Sequence, residues 1–501
     1  MRRLMSAVAV TTVAVLAPLV ATSHSAAAPK PGHSHTVRAV LTMRPGTSIP
    51  WQAPGVKVVQ TFPRIGAEAV TATPARLAQL RHNHSVLGVA GDWHGHVTGR
   101  KNDANTDDAG VLASQVLGGS AGAATTGAGV TVALLDTGVN DTNALNRASG
   151  RLVDGVDVSQ LSSGGDASTS GTFTDGYGHG TFLASLIAGG PVPGSAGRGL
   201  GVAPGARVVA VKVANASGET SLQQVLAAMD WVAVNANRID VVNLSLALDR
   251  PTAPAYGADP LNAAVEHVRD AGVLVVAAVG NTPGQVGDPG MDPAALTVGS
   301  VNVDKPRARL SSFSGSGVVD GMVKPDLVAP GEHILGAETH DTVIGRANPS
   351  AWDSFGLFRG SGTSEATALV SGAAAAFIAD HPRRGPVFVK AALRVTADDM
   401  NNWRAGEGLL DLDFEGKHGN GHHGDSNPTG DSSFDSAAWQ ANSWQNGNWV
   451  DWLASSWSAS SWSASSWSAS SWSASSWSAS SWSAGSWSAS SWSDAGWGDN
   501  G

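Results

Sequence analysis

Gly360-Ser361-Gly362-Thr363-Ser364-Glu365-Ala366-Thr367-Ala368-Leu369-Val370-Ser371-Gly372 is the stretch on which the reading of this chain turns. It runs into an alanine-rich segment, Ala373 to Ala379, that stops just before Pro382. Glycine permits tight backbone geometry, and Thr363 or Ser364 is a good N-cap, so a helix is expected to begin here. Its first turn would aim unsatisfied N–H groups and the positive end of the helix dipole at whatever sits beside Ser364. That setting suits a nucleophilic hydroxyl whose reaction creates negative charge nearby. Taken alone, the stretch is equally an ordinary capped helix. The rest of the chain decides.

On the N-terminal side of that stretch, strand and helix patterns alternate. Val130 to Leu135 is apolar apart from Thr131, the composition of a central parallel strand covered on both faces. Arg207 to Val213 reads as a strand, Leu222 to Val234 as a helix and Asp240 to Leu246 as a strand. Leu261 to Asp270 then reads as a helix and Val273 to Ala278 as a strand. Gly408-Leu409-Leu410-Asp411 reads as a last strand that closes the unit near residue 415. Strands separated by helices imply βαβ units, so the expected fold class is α/β, a layered and mainly parallel sheet flanked by helices.

Three stretches of this unit converge on one chemistry. Leu134-Leu135-Asp136-Thr137-Gly138 puts an acid at the carboxyl end of a buried strand, where α/β sheets present functional groups. Gly178-His179-Gly180-Thr181 sets a histidine between glycines at the start of an apolar helix, and Ser364 is the third member. A serine hydroxyl needs a base within hydrogen-bond reach, and an imidazole titrates near neutrality. Asp136 could then accept the other ring N–H, fix the tautomer and stabilise the imidazolium. Singly, Asp-Thr-Gly reads as a turn and the histidine as a surface residue; together they point to nucleophilic catalysis.

With these motifs the chain resembles a subtilisin-like serine peptidase, a subtilase, in the order Asp136, His179, Ser364. The resemblance covers about residues 109–415, within a peptidase domain bounded at 106–415, and includes Gly201-Val202-Ala203-Pro204-Gly205-Ala206, Val242-Asn243-Leu244-Ser245-Leu246, Ala278-Val279-Gly280-Asn281 and Lys324-Pro325-Asp326-Leu327-Val328-Ala329-Pro330-Gly331. It implies a serine endopeptidase with Asn281 in the oxyanion hole, where a side-chain amide at a strand end can donate to the tetrahedral oxyanion. The edges Ser245-Leu246-Ala247 and Ser217-Gly218 resemble those that bind an extended peptide by β-augmentation. Protein or peptide substrates are implied, and a monomer is expected. The chemistry requires no cofactor. A structural calcium ion would fit the resemblance, yet Asp141, Asp154, Asp157 and Asp175 show no clear ligand spacing, so no metal ligand is assigned.

The chain departs from the family at three places. Glu365 follows the nucleophile where Met is usual, Ala247 replaces a glycine, and Phe182 stands where His or Cys is frequent. A carboxylate at 365 could repel acidic side chains on the leaving side, alter the pH profile, or point into solvent and do nothing.

The flanking regions complete the organisation. Arg2 and Arg3, the apolar run Leu4 to Val20 and Ser25-Ala26-Ala27-Ala28 read as a signal peptide over residues 1–28, so a secreted protein is expected. Residues 29–105 have strand composition at Val37 to Thr42, Val56 to Phe62, Ala67 to Thr71 and Val86 to Val89, with a capped helix from Pro74. This small α+β unit is similar, more weakly, to the inhibitory propeptide of the family. The polar stretch Gly99 to Asp108 is suited to cutting. Residues 416–438 form a polar linker whose His418, His422 and His423 need no metal to explain them, and residues 439–501 repeat Trp-Ser-Ala-Ser-Ser. Regularly spaced indoles stack well on sugar rings, so the rival function is binding to a cell-wall polymer, with the peptidase unit inert or secondary. A net charge of −10 leaves no basic footprint for nucleic acid, and the absence of cysteine excludes disulfides and thiol nucleophiles.

Overall fold

The computed structural model describes residues 35–48, 54–97, 111–112, 126–161, 167–168, 173–193, 199–249, 258–303 and 307–412. Residues 1–28, read above as a signal peptide, the whole of Gly99 to Asp108, the expected linker and the tryptophan repeat lie outside the described residues. No helix among the described residues is long and apolar enough to cross a membrane.

The centre is an eight-stranded sheet, parallel except for a two-residue edge strand. Its strands are β6 (Thr131–Asp136), β7 (Leu152–Asp157), β8 (Arg207–Lys212), β10 (Val241–Leu244), β12 (Leu274–Ala278), β13 (Leu296–Asn302) and β14 (Leu327–Pro330). β6 sits between β8 and β10, and all six of its residues are buried. Its side chains alternate between faces. Val132 and Leu134 join a core with the helices α2 (His179–Ala188) and α5 (Thr363–Asp380), while Ala133 and Leu135 face the core of α3 (Leu222–Val234) and α4 (Pro260–Asp270). Burial on both faces is why the strand is a continuous apolar run rather than an alternating one.

α5 is the core helix. Every residue from Thr363 to Phe377 is buried, so the helix is apolar or small on all sides, as a helix in a domain interior must be. It does not start as expected: the N-cap is Gly362, in extended conformation, and Thr363 and Ser364 already lie in the first turn. The hydroxyls are thereby freed from capping. Gly408 to Asp411 also differs from expectation, because Leu409 makes only isolated bridges to Val328 and Asp398. Beyond α5, α6 (Pro386–Val395) is tied to the sheet by charge. Buried Asp326 meets Lys324 at 2.9 Å, Lys390 at 3.1 Å and Arg394 at 3.7 Å. Burial opposes its ionisation, yet the three cations outweigh that and hold the carboxyl below its ordinary range.

The N-terminal unit folds as read, with strands β1 (Val37–Met43), β2 (Val56–Phe62), β3 (Ala67–Ala72) and β4 (Val86–Gly91) in the antiparallel order β2-β3-β1-β4. Helix α1 (Pro74–Leu80) is capped by Thr73, whose hydroxyl accepts the Arg76 N–H at 3.2 Å. Val40, Phe62, Ala67 and Ala69 enter the same core as α3 and α4. Asp92 accepts the Gln223 N–H at 2.9 Å, so an acid of this unit sits at the positive end of α3. The next segment, β5 (His94–Val97), was not legible as a strand. It leaves the four-stranded sheet and pairs antiparallel between β9 (Glu219–Ser221) and β11 (Leu246–Leu248).

Candidate active site

Asp136 ends β6, and glycines bring a histidine to it. Gly180 packs α2 directly on the turn after Asp136, because a Cβ there would collide with the Gly138 carbonyl. Gly178 has φ +111°, a left-handed conformation that favours glycine, and a Cβ there would lie 2.8 Å from Glu338 Oε1. Asp175 then holds the first turn of α2, accepting the Gly178 N–H at 2.6 Å, the Thr181 N–H at 2.8 Å and the Thr181 hydroxyl at 2.7 Å. The outcome is a buried pair. His179 Nδ1 lies 2.9 Å from both carboxylate oxygens of Asp136, and the two side chains are 3% and 1% exposed.

Nδ1 therefore carries the proton donated to Asp136, which leaves Nε2 as the basic nitrogen of the neutral ring. Nε2 is buried and makes no hydrogen bond among the described residues. Burial alone would lower the histidine's pKa. The charge and hydrogen bond of Asp136, followed by the charges of Glu365 and Asp175, outweigh it and hold His179 above its ordinary value.

Ser364 occupies the first turn of α5, fully buried, with its hydroxyl donating to the Ser245 carbonyl at 3.3 Å. The first turns of α2 and α5 converge: Glu365 Oε1 and the Phe182 ring edge both come within 2.6 Å of one point above Gly360. Asn281, just beyond β12, accepts the Thr363 N–H and the Thr363 hydroxyl through Oδ1, each at 2.9 Å. A backbone N–H can only donate, so this contact fixes the amide with Oδ1 toward Thr363 and makes Nδ2 its donor end. The structure thus brings Asp136 to His179, Asn281 to the residue before Ser364, and Ser364 to Ser245.

The two strand edges flank β5. Leu246 faces Val97, Ala247 faces His96 and Leu248 faces Gly95, while Gly218 accepts the Val97 N–H at 3.1 Å. Ser217 lies exposed in the turn held by Asn215 and makes no contact with β5 among the hydrogen bonds described. Of the four acids weighed for calcium, Asp141 and Asp154 bind Arg147 at 2.7 and 2.6 Å, Asp157 accepts the Ser159 hydroxyl at 2.7 Å, and Asp175 holds α2. No group of three or more metal-ligating side chains occurs among the described residues. The helix-holding role of Asp175 was missed, although an acid just ahead of a helix start is a readable signal. Glu365 is 3% exposed, which removes the reading in which it points into solvent.

Comparison with known proteins bears on the family and the fold. The subtilase family model matches residues 127–430. The chain is 34% identical over 291 residues to subtilisin Savinase of Lederbergia lenta, covering 58% of this chain and 91% of that protein. It is 31% identical over 300 residues to serine protease AprX of Bacillus subtilis, covering 56% of this chain and 65% of that protein. Among solved structures, fervidolysin from Fervidobacterium pennivorans, a keratinolytic enzyme related to subtilisin, shares the fold with a TM-score of 0.60 at 19% identity, over 77% of this chain and 61% of that one. With a family model matching more than half its length and this constellation at the carboxyl end of its sheet, the chain belongs to the subtilase family of serine endopeptidases.

Proposed function

We propose that this protein is a secreted endopeptidase, made as a zymogen that processes itself, with Asp136, His179 and Ser364 as its catalytic triad. Its substrates are extended polypeptides read mainly through their backbones. Ser364 Oγ attacks the scissile carbonyl carbon while His179 Nε2 takes its proton, and Asp136 stabilises the imidazolium. The oxyanion receives Asn281 Nδ2 and the N-terminal end of α5. Collapse breaks the C–N bond, His179 returns the proton to the leaving amine, and water releases the acyl group by the reverse sequence. No cofactor takes part, no calcium ligand is assigned, and the enzyme works as a monomer.

The observation that carries this reading is the seat of β5. An N-terminal segment lies in register between the two edges that would hold a substrate, and Val97 faces Leu246. Ser245, the residue before Leu246, is the one whose carbonyl Ser364 reaches. A backbone keeping that antiparallel register offers the residue after Val97 for attack, so the proposed cut is Thr98–Gly99, at the start of the polar stretch. Before release, the N-terminal unit is a competitive inhibitor.

N-terminal sequencing of the secreted wild-type protein tests this, and the expected mature sequence begins Gly99-Arg100-Lys101. A purified Ser364→Ala protein is expected to keep residues 29–98. Processing by that variant alone, or a first cut well inside the α/β domain, would overturn the proposal.

A further inference from the structure

We propose that Glu365 is a second acidic partner of the catalytic imidazole, acting with Asp136 to stabilise the imidazolium formed as Ser364 attacks. It is a positioning residue, working through His179 rather than touching substrate. The role rests on the assignment of His179 as base made above.

The placement is a built one. Glu365 stands in the first turn of an eighteen-residue helix, next to the nucleophile, where the positive end of the dipole favours a carboxylate. It is 3% exposed, so solvent screening is weak. Its Oε1 and the edge of Phe182 both lie 2.6 Å from the point where a Gly360 Cβ would stand, and Phe182 lies one turn beyond His179 on the same side of α2. The wall opposite is Gly360, and the gap is fitted to the carboxylate, because any Cβ at 360 would strike Glu365 Oε1 and Phe182 together at 2.6 Å. The charge of Glu365 acts on His179 in the same sense as that of Asp136.

Other titratable and charged groups face this site from each neighbouring element. Asp136 comes from β6, and Asp175 and Tyr177 from the approach to α2. Glu338 lies across Gly178, and Arg359 is the nearly buried cation on the strand Phe358–Gly360. A Glu365→Gln variant keeps the volume and all of these groups while removing one charge. Removing one negative charge beside a buried imidazole weakens the preference for its protonated form, and a change of one pH unit corresponds to about 1.4 kcal/mol.

The test is the pH dependence of kcat/KM for a chromogenic peptide, using the processed enzyme. In Glu365→Gln the acid limb is expected to move down by about one unit, so that well below the midpoint the free-base fraction rises about tenfold and activity exceeds wild type by a few-fold. The plateau kcat is expected to fall several-fold as the base weakens. Glu365→Asp, which keeps the charge, is expected to restore most of the limb and also serves if the glutamine variant fails to fold. An unshifted limb in active Glu365→Gln, or a limb equally displaced in both variants, would overturn the role of Glu365. A wild-type protein without peptidase activity would instead overturn the triad assignment.

Discussion

Replacing Ser364 with alanine is expected to lower kcat for peptide hydrolysis by about a millionfold, leaving only what binding and oxyanion stabilisation supply. The fold is expected to survive, because the bond the hydroxyl donates to the Ser245 carbonyl is long, 3.3 Å, and alanine suits a helix as alanine-rich as α5. Without the nucleophile, His179 has no proton to take and Asp136 no imidazolium to stabilise. Since the variant would also retain its N-terminal unit, loss of chemistry must be separated from a blocked cleft. Wild type and variant should therefore both be cut in the stretch following residue 98 by an unrelated protease before assay. A loss of less than about a hundredfold would mean that another group attacks the carbonyl.

Asp136→Asn is expected to lower kcat by about 10⁴-fold with little change in KM. The substitution keeps the shape of a side chain that is 1% exposed and already anchored by the Thr137 N–H at 2.8 Å. What changes is the proton. Both oxygens of Asp136 now face Nδ1 at 2.9 Å, which fixes the tautomer that leaves Nε2 basic. An amide presenting its NH₂ to the ring would favour the opposite tautomer, with Nε2 protonated and unable to accept from Ser364. Steady-state kinetics on the processed variant would measure this, and a decrease under tenfold would show that Asp136 is not the group orienting the base.

Much of this was legible in the sequence because the decisive features are local. A six-residue apolar strand ending in Asp136, a glycine-flanked His179 and a small-residue helix around Ser364 each announce their backbone conformation. Their position at the carboxyl end of one sheet follows from βαβ topology. What was not legible depends on long-range packing. β5 is a four-residue segment, His-Gly-His-Val, with no propensity signal; it becomes a strand because β9 and β11 offer it hydrogen bonds on both sides. The cap of α5 at Gly362 was misjudged because the Thr363 N–H and hydroxyl are held by Asn281, far away in sequence, and not by a local turn. The direction of Glu365 could not be chosen either, since its burial is set by Phe182 and Gly360 on other elements.

The most direct measurement of the central claim is a peptide map of processed enzyme treated with a fluorophosphonate, which bonds covalently only to an activated serine. The account predicts one adduct, on Ser364, formed in parallel with loss of activity and prevented by saturating substrate. An enzyme that stays active without an adduct, or loses activity with the label on another residue, would contradict it.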